Sequence, residues 1–599
     1  MSIKKIPLRS EVLKENTWAT EDIFENDAAW EKAFEEAQSY PAKIASFAGK
    51  ISASAEGLYE YLTFDEEADV ILSKLYSYAH LNSDTDTGNA TYQAMVGRCR
   101  SFFVQCGAAS AFATPELIGI DDETMERFYK EEPRLELYRR SLDRVRSKRP
   151  HILSESEEKL LAGASEISGA ASTIGSFFRN ADLRFPDILD GEGNTRQLTQ
   201  GSYIPCVESS DRVLRKNAFE ALYHTFGSFK NTTAALLDAQ MRQLKFFASS
   251  RKYGSALEAS LSRTEVPTEV YHNLIATVHK NMPLMHRYMA LRKKLMKLDE
   301  LHMYDIYPTL VSEAENVIPF EEAKKITLEA LKPLGEDYLK VVKHAYENRW
   351  IDVYENVGKR GGAYSSGARP HPYVLLNHED TLNSMFTLAH EMGHAMHSYL
   401  SKENQPTVYS DYVIFVAEVA STCNEALLMS HLLSKTTDKA GRAYLINYFL
   451  EQFRTTLYRQ TMFAEFELEM SKLVEGGQSL TADTLCKIYH RLNEEYYGPA
   501  VTIDPEIDME WARIPHFFMN FYVFQYATGF SAAMALSRKI LNEGDEAVKK
   551  YLGFLSAGCS DTPIEILKKA GVDMATAEPI ETALKTFEEL LNEFEELMA

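Results

Sequence analysis

Residues 385–400, MFTLAHEMGHAMHSYL, constrain the chain more than any other stretch. They set His390-Glu391-Met392-Gly393-His394, an H-E-x-x-H pattern, inside a helical repeat. Residues four apart on an α-helix lie one above the other, so His390 and His394 point the same way. Two imidazoles on one face can bind a single Zn²⁺ at about 2.0–2.1 Å each. Glu391 lies about 100° round the helix from His390, within reach of a metal-bound water without being a ligand. Met385, Ala389, Met392, Met396 and Leu400 recur at steps of four, three, four and four. They form an apolar stripe opposite the histidines, which packs the back of the helix into a core and turns its front to a site. Asp380 or Thr381 can cap the start, and Pro406 lies shortly beyond the end.

At 599 residues the chain can hold two or more domains and a large core around such a helix. Its 45% hydrophobic and 25% charged residues are ordinary for a soluble globular protein. No apolar run reaches the length of a membrane span, so no membrane partner is expected. The opening MSIKKIPLRSEVLKENTW has no apolar core of a secretory signal. Six cysteines (Cys99, Cys106, Cys206, Cys423, Cys486, Cys559) lack metal-type or framework spacing and read as free, mostly buried thiols. Cytoplasmic residence is the expectation. The net charge of −23 argues against a nucleic-acid partner.

The first part of the chain reads as almost entirely helical. Trp30 and Phe34 have helical spacing after Asp27, a plausible N-cap. Arg139, Arg140, Arg144, Arg146 and Arg149 cluster, but acids intersperse them, so a solvated helix face or an interdomain contact is favoured over nucleic-acid binding. Pro150 is expected to end that helix, and Ser154-x-x-Glu157 to open the next with a capping box. Residues 183–203, with Asp190-Gly191-Glu192-Gly193-Asn194 between β-type flanks, read as a hairpin near a domain boundary. Gly361 to Gly367 is loop-like, and residues 372–377, PYVLLN, look like a short buried strand feeding the H-E-x-x-H helix. Such a strand can offer backbone groups to an extended peptide, with Gly362, Ala363 and Tyr364 as backbone contacts; a purely structural hairpin is the alternative. Residues 586–597, with Phe587, Leu590, Leu591, Phe594 and Leu597 among glutamates, form an amphipathic closing helix.

A helix is expected from Ser410 to about Leu433, carrying Glu418 and Glu425 seven residues apart on one face. Both sit among apolar residues such as Phe415, Val416, Val419 and Leu427, where an uncompensated charge is expensive. A zinc ion supplies the cation, which makes Glu418 the third ligand. Glu425 either orients a ligand histidine or pairs with a lysine or arginine. Two histidines, a glutamate and one open position make the hydrolytic arrangement, with Glu391 as general base. A metzincin is excluded, because its third histidine would fall at Leu400. His397 shares the face of His390, but three ligands on one straight helix cannot surround a tetrahedral ion, so it is read as outer support.

HEMGHAMHS, followed by the glutamate of FVAEVASTCNE, resembles the thimet oligopeptidase and neurolysin family of zinc peptidases, and within it the oligoendopeptidase F branch. TWATEDIF, HILSESEEKLLA, the DGEG hairpin, GAYSSGARPHPYVLLNH and IPHFFMNFYVFQYATGF extend the resemblance over nearly the whole chain. It implies a mainly α, two-part helical fold enclosing a deep substrate channel, with a small β-sheet beside the H-E-x-x-H helix. The implied division is 1–190 for an N-terminal helical domain and 191–599 for the zinc peptidase domain. The implied activity is endopeptidase cleavage of short unstructured peptides with one Zn²⁺ on His390, His394 and Glu418 and Glu391 as base. A carboxypeptidase and a silent peptide-binding protein are the alternatives. The family also uses a histidine and tyrosines of a late helix on the oxyanion, which carry over to His516, Tyr522 and Tyr526. A monomer or homodimer is expected.

Overall fold

In the computed structural model, which describes residues 6–311 and 317–599, the chain is mainly α-helical and falls into two compact units. The first comprises Met1–Pro150, Asn316–His431 and Leu536–Asp561; the second comprises His151–Glu315, Leu432–Ala535 and Thr562–Ala599. The division expected at residue 190 differs from this one, because the N-terminal helices share a unit with the H-E-x-x-H helix. Aromatic packing is the reason. Trp30 and Phe34 stack at 5.0 Å and join α1 (Ala55–Thr85) and α2 (Ala90–Ala109) in one hydrophobic core. Tyr373 and Leu375, more than two hundred residues away, belong to that same core. Tyr373 meets Trp18 edge-on at 6.1 Å and donates its hydroxyl to the Ala19 carbonyl at 3.0 Å.

That contact ties the N-terminal segment to a three-stranded sheet of β1 (Ile351–Asp352), β2 (Tyr364–Ser366) and β3 (Tyr373–Leu375). The order is β1-β3-β2, with β3 parallel to β1 and antiparallel to β2. Arg9 pairs with Asp352 at 2.6 Å, and the wholly buried Lys359 ammonium lies 2.7 Å from the same carboxylate. Lys359 also donates to the carbonyls of Tyr354 and Leu376 at 2.8 and 2.6 Å, which satisfies its three protons without water. Residues 373–375 are thus a strand, as expected, but a central one. With both edges paired, β3 has nothing to offer an extended peptide; β1 and β2 are the edge strands, and β2 lies in the stretch read from sequence as a loop.

Two helices follow the sheet. In α3 (Leu382–Asn404), Thr381 is the cap, its side chain accepting from the Ser384 amide at 3.1 Å. Met385, Ala389, Met392 and Met396 are fully buried, while Leu400 is half-buried. The second helix, α4 (Ile414–Lys435), starts four residues later than expected, because residues 410–413 form the link that seats it. Elsewhere Asn26, not Asp27, caps the first long helix, accepting from Ala29 N at 3.0 Å. The arginine run ends its helix at Arg146, and Pro150 sits in a separate 3₁₀ turn. Its charges pair with acids: Arg139 with Glu126 and Glu136, Arg146 and Arg149 with Asp122. The 188–196 hairpin forms as expected, Ile188 opposite Arg196. Among the described residues no helix is long and apolar enough to cross a membrane, and none of the six cysteines forms a disulfide.

The second unit is built from the Arg212–Gly227 and Lys230–Ser250 helices together with α5 (Arg459–Glu475), α6 (Ala482–Tyr497), the start of α7 (Phe524–Glu543) and α8 (Glu578–Met598). The closing helix buries Phe587, Leu591 and Phe594 completely, as its apolar spacing requires. A buried charge pins the start of the Arg212–Gly227 helix. Asp305 accepts from Arg215 at 2.8 Å and from Arg212 at 2.9 Å. Burial opposes charge on Asp305, but the two arginines outweigh it and hold its carboxyl below the usual carboxylate range. A depressed folded pKa contributes stability above the unfolded value, and that contribution is lost as pH falls through the folded one. Asp305→Asn is therefore expected to cost about 3–5 kcal/mol at pH 7. Thermal melts of the variant and the parent should begin to converge only below about pH 4 and meet once the pH has passed the depressed folded value; equal melting at pH 7 would contradict this account.

Candidate active site

The site of the first unit depends on how close α3 and α4 can come. Gly393, inside the H-E-x-x-H motif, faces α4 so closely that a Cβ would lie 2.5 Å from Ser421 Cα and 2.7 Å from the Ala420 carbonyl oxygen. Asn424, fully buried on α4, donates to the Ala389 carbonyl on α3 at 3.1 Å and accepts from Tyr338 at 3.2 Å. The link between the helices is pinned as well. Ser401 Oγ donates to the Ser410 carbonyl at 2.6 Å, and the Cys559 amide donates to Tyr409 O at 3.0 Å. Tyr412 stacks on His397 at 3.7 Å, with rings within 3° of parallel.

This packing brings three donors together. Glu418 Oε2 lies 3.3 Å from His390 Nε2 and 3.4 Å from His394 Nε2. Ligand atoms about 2.0–2.1 Å from a tetrahedral ion are about 3.3–3.4 Å apart, so the donor chemistry and both of these separations fit zinc. The outer side of His390 is taken: its Nδ1 lies 3.0 Å from Glu425 Oε1, which directs Nε2 inward. Burial opposes charge on His390, yet Glu418 and Glu425 outweigh it and raise its pKa well above the ordinary value. The converse holds for Glu418, whose carboxyl the two histidines push well below the usual range despite burial. Glu391 is nearly buried, and its Oε2 has no hydrogen-bond partner among the described residues. Burial raises its pKa, against the pull of the two histidines.

A second grouping, His279, Glu465 and Glu495, has comparable spacing. There, however, Arg491 donates to Glu495 at 2.8 Å, and Tyr496 donates to Glu465 at 2.8 Å. A metal ion would have to displace a guanidinium, so the first cluster is the stronger candidate metal site. His397 is not part of it. Its ring is 1% exposed, packed between Tyr412 and Phe554, and burial pushes its pKa down to about 3, so it stays neutral and serves packing.

His516, Tyr522 and Tyr526 come together in the second unit. Tyr522 lies nearly parallel to His516 at 6.2 Å, and Tyr526 meets Tyr522 and His516 edge-on at 5.4 and 6.0 Å. The expectation that they share one helix is corrected: His516 is in a 3₁₀ turn (Pro515–Phe518), Tyr522 in an irregular segment, and only Tyr526 on α7. Asn520 and Phe521, both left-handed, break any helix between them. Of the expected backbone contacts, Gly362 and Ala363 precede β2 and Tyr364 begins it; Tyr364 ties its hydroxyl to Asp84 at 2.7 Å.

The sequence profile of Peptidase family M3 matches residues 206–586. The chain belongs to peptidase family M3. A second profile, described as Oligopeptidase F, matches residues 116–185. Among M3 relatives, the Oligopeptidase PepF of Bacillus subtilis (strain 168) is 49% identical over 595 residues, covering 99% of this chain and 89% of its own. The Group B oligopeptidase PepB of Streptococcus agalactiae is 41% identical over 592 residues, covering 99% of this chain and 98% of its own. The crystal structure of oligoendopeptidase-F from Enterococcus faecium aligns with a TM-score of 0.75 at 41% identity, covering 95% of this chain and 99% of that one. The resemblance read from the motifs is borne out, as is the mainly α peptidase fold. M3 peptidases are metallopeptidases, and in this chain His390, His394 and Glu418 form a candidate metal site.

Sequence reasoning passed over Gly393, Asn424 and Tyr412, which touch no ligand atom but fix the crossing. A glycine inside a strong helix signal was the one available hint. Gly393→Ala is expected to leave the protein folded but to weaken zinc binding by about 10–100-fold, the scale of lost support around a metal ligand. Competition with a calibrated chelator measures this; unchanged affinity would show that the close crossing does not set the site.

Proposed function

We propose that this chain is a zinc-dependent endopeptidase that hydrolyses internal bonds of short, unstructured peptides. The observation that carries the proposal is a His, His, Glu donor set whose carboxylate oxygen lies 3.3–3.4 Å from both imidazole nitrogens, beside a buried glutamate whose Oε2 has no hydrogen-bond partner among the described residues. A zinc ion held by His390, His394 and Glu418 supplies Lewis acidity and lowers the pKa of water. Glu391 Oε2 takes the proton of the attacking water and later delivers it to the leaving amine nitrogen. Its raised pKa suits both roles, since a base that is too weak cannot accept and an acid that is too strong cannot hold the proton. Glu425 keeps His390 turned with Nε2 towards the donor set.

In the same reading, His516, Tyr522 and Tyr526 donate to the oxyanion and hold the substrate; a well-aimed phenol there contributes about 3–4 kcal/mol. The edge of β2 pairs with the substrate backbone, led in by Gly362 and Ala363. Tyr364 contributes its main chain, because its phenol is engaged by Asp84. Cytoplasmic residence belongs to the proposal and is supported by six cysteines, none of which forms a disulfide among the described residues.

Mass spectrometry of a doubly blocked peptide of about ten residues, with and without chelator, tests the reading. Internal cleavage that stops with chelator and returns with zinc is expected, along with no digestion of a folded protein. Failure to cut the blocked peptide would move the assignment to an exopeptidase or to a binding protein. Glu391→Gln is expected to keep its zinc while turnover falls about 10²–10⁴-fold; near-normal turnover would remove Glu391 as the base.

A further inference from the structure

The second unit contains a buried acid that the proposed chemistry does not use. Glu467, on α5, is completely buried, and its Oε1 accepts from the Phe521 amide at 2.7 Å. Its Oε2 has no partner among the described residues. Phe521 and Asn520 have φ of +60° and +59°, two consecutive left-handed residues without a glycine. That conformation is uncommon for asparagine and strained for a bulky side chain, and it persists only where neighbours over-determine it.

The neighbours here are specific. Gln240 donates to Asn520 Oδ1 at 2.8 Å and is itself 1% exposed. Gln243 in turn holds Gln240 Oε1 at 3.0 Å. The Phe521 ring is buried edge-on against Tyr271 at 5.8 Å, and Tyr271 also packs on Phe524, the first residue of α7. Tyr271 is fixed in its turn by donating to the Ala464 carbonyl at 2.6 Å. The next residue after this clamped turn is Tyr522. A change of backbone conformation at residues 520–521 would swing Tyr522 away from His516 and Tyr526, because the Pro515–Phe518 turn is also held by Phe517 against Phe463 and Phe466, and α7 by Phe530 against Phe453.

We propose that Glu467 is a positioning residue for the reaction: its buried carboxyl takes the Phe521 amide and holds the strained Asn520–Phe521 turn that sets the Tyr522 phenol beside His516 and Tyr526. The inference rests on the reading that this aromatic cluster acts on substrate. Burial pushes the Glu467 carboxyl up to about 8, against the opposing pull of the Phe521 amide, so near neutrality it is largely a neutral acid. A neutral acid can still accept from an amide without leaving a buried charge, and glutamine can take over that task.

The test compares Glu467→Leu, Glu467→Gln and Asn520→Ala with the parent and with Tyr522→Phe. Leucine removes the acceptor, glutamine keeps it, and alanine removes the Gln240 anchor from a less buried position. The zinc-loaded protein is assayed on an internally quenched peptide, reading kcat, KM and zinc content, with circular dichroism as the fold control. Glu467→Leu and Asn520→Ala are expected to lower kcat about 10²-fold, the scale of a misplaced group, with KM and zinc content nearly unchanged. Glu467→Gln should stay near the parent. Full kcat in folded Glu467→Leu or in Asn520→Ala would overturn the proposal, as would an equal loss in the glutamine and leucine variants. If Tyr522→Phe is impaired while the other variants are not, only the positioning role fails. If Tyr522→Phe is itself fully active, the reading of the cluster fails and this inference with it.

Discussion

The candidate centre depends on two helices approaching until one backbone lies against the other's glycine. At Gly393 no side chain stands between α3 and α4, and this closeness carries Glu418 to within 3.3–3.4 Å of both histidines. An ordinary helix pair, 8–10 Å between axes, is held apart by the side chains at the contact. Here the smallest residue is placed where the ligands must converge. Polar groups then hold the crossing in register: Asn424 bridges to the Ala389 carbonyl, and Tyr412 lies flat on His397. The outcome is a rigid arrangement of donors, and rigid elements position a site more closely than loops do.

The electrostatics of the site follow from the same burial. Glu418, Glu425 and Glu391 crowd two imidazoles in a region of limited solvent access. The histidine charge that offsets these carboxylates is itself opposed by burial, as the balance at His390 illustrates. A divalent cation would resolve that conflict, and its binding would displace protons, so affinity would rise with pH until the histidines are neutral. The second unit uses another means of rigidity. Its aromatic cluster is carried by an irregular segment, and order there comes from buried polar anchors holding two left-handed residues. Strain of this kind concentrates where a side chain must point in one direction.

How much of this was legible in the sequence varied with the range of the interaction. The H-E-x-x-H helix, its cap, its apolar back and the Glu418 partnership were readable, because period and motif spacing are local. The closing helix and the 188–196 hairpin were readable for the same reason. The division of the chain was not. Trp18 packing on Tyr373 and Arg9 pairing with Asp352 join segments more than three hundred residues apart, and no pattern within either segment announces the other. β2 was hidden because Gly361-Gly362 and Gly367 bracket only three strand residues, too few for a visible alternation. The 516–526 segment misled in the opposite way. Tyr522 and Tyr526 have helical spacing, but the helix starts only at Phe524, and Asn520 and Phe521 adopt a conformation held by Gln240 and Glu467 from other helices.

Zinc K-edge absorption spectroscopy of the metal-loaded protein tests the central claim most directly, since it reads the identity and distance of the ligand atoms. The account predicts a four-coordinate shell of nitrogen and oxygen at about 2.0–2.1 Å, with the scattering of two imidazoles, and a loss of the oxygen contribution in Glu418→Ala. A third imidazole in the shell, a sulfur ligand, or a spectrum unchanged by that substitution would contradict it.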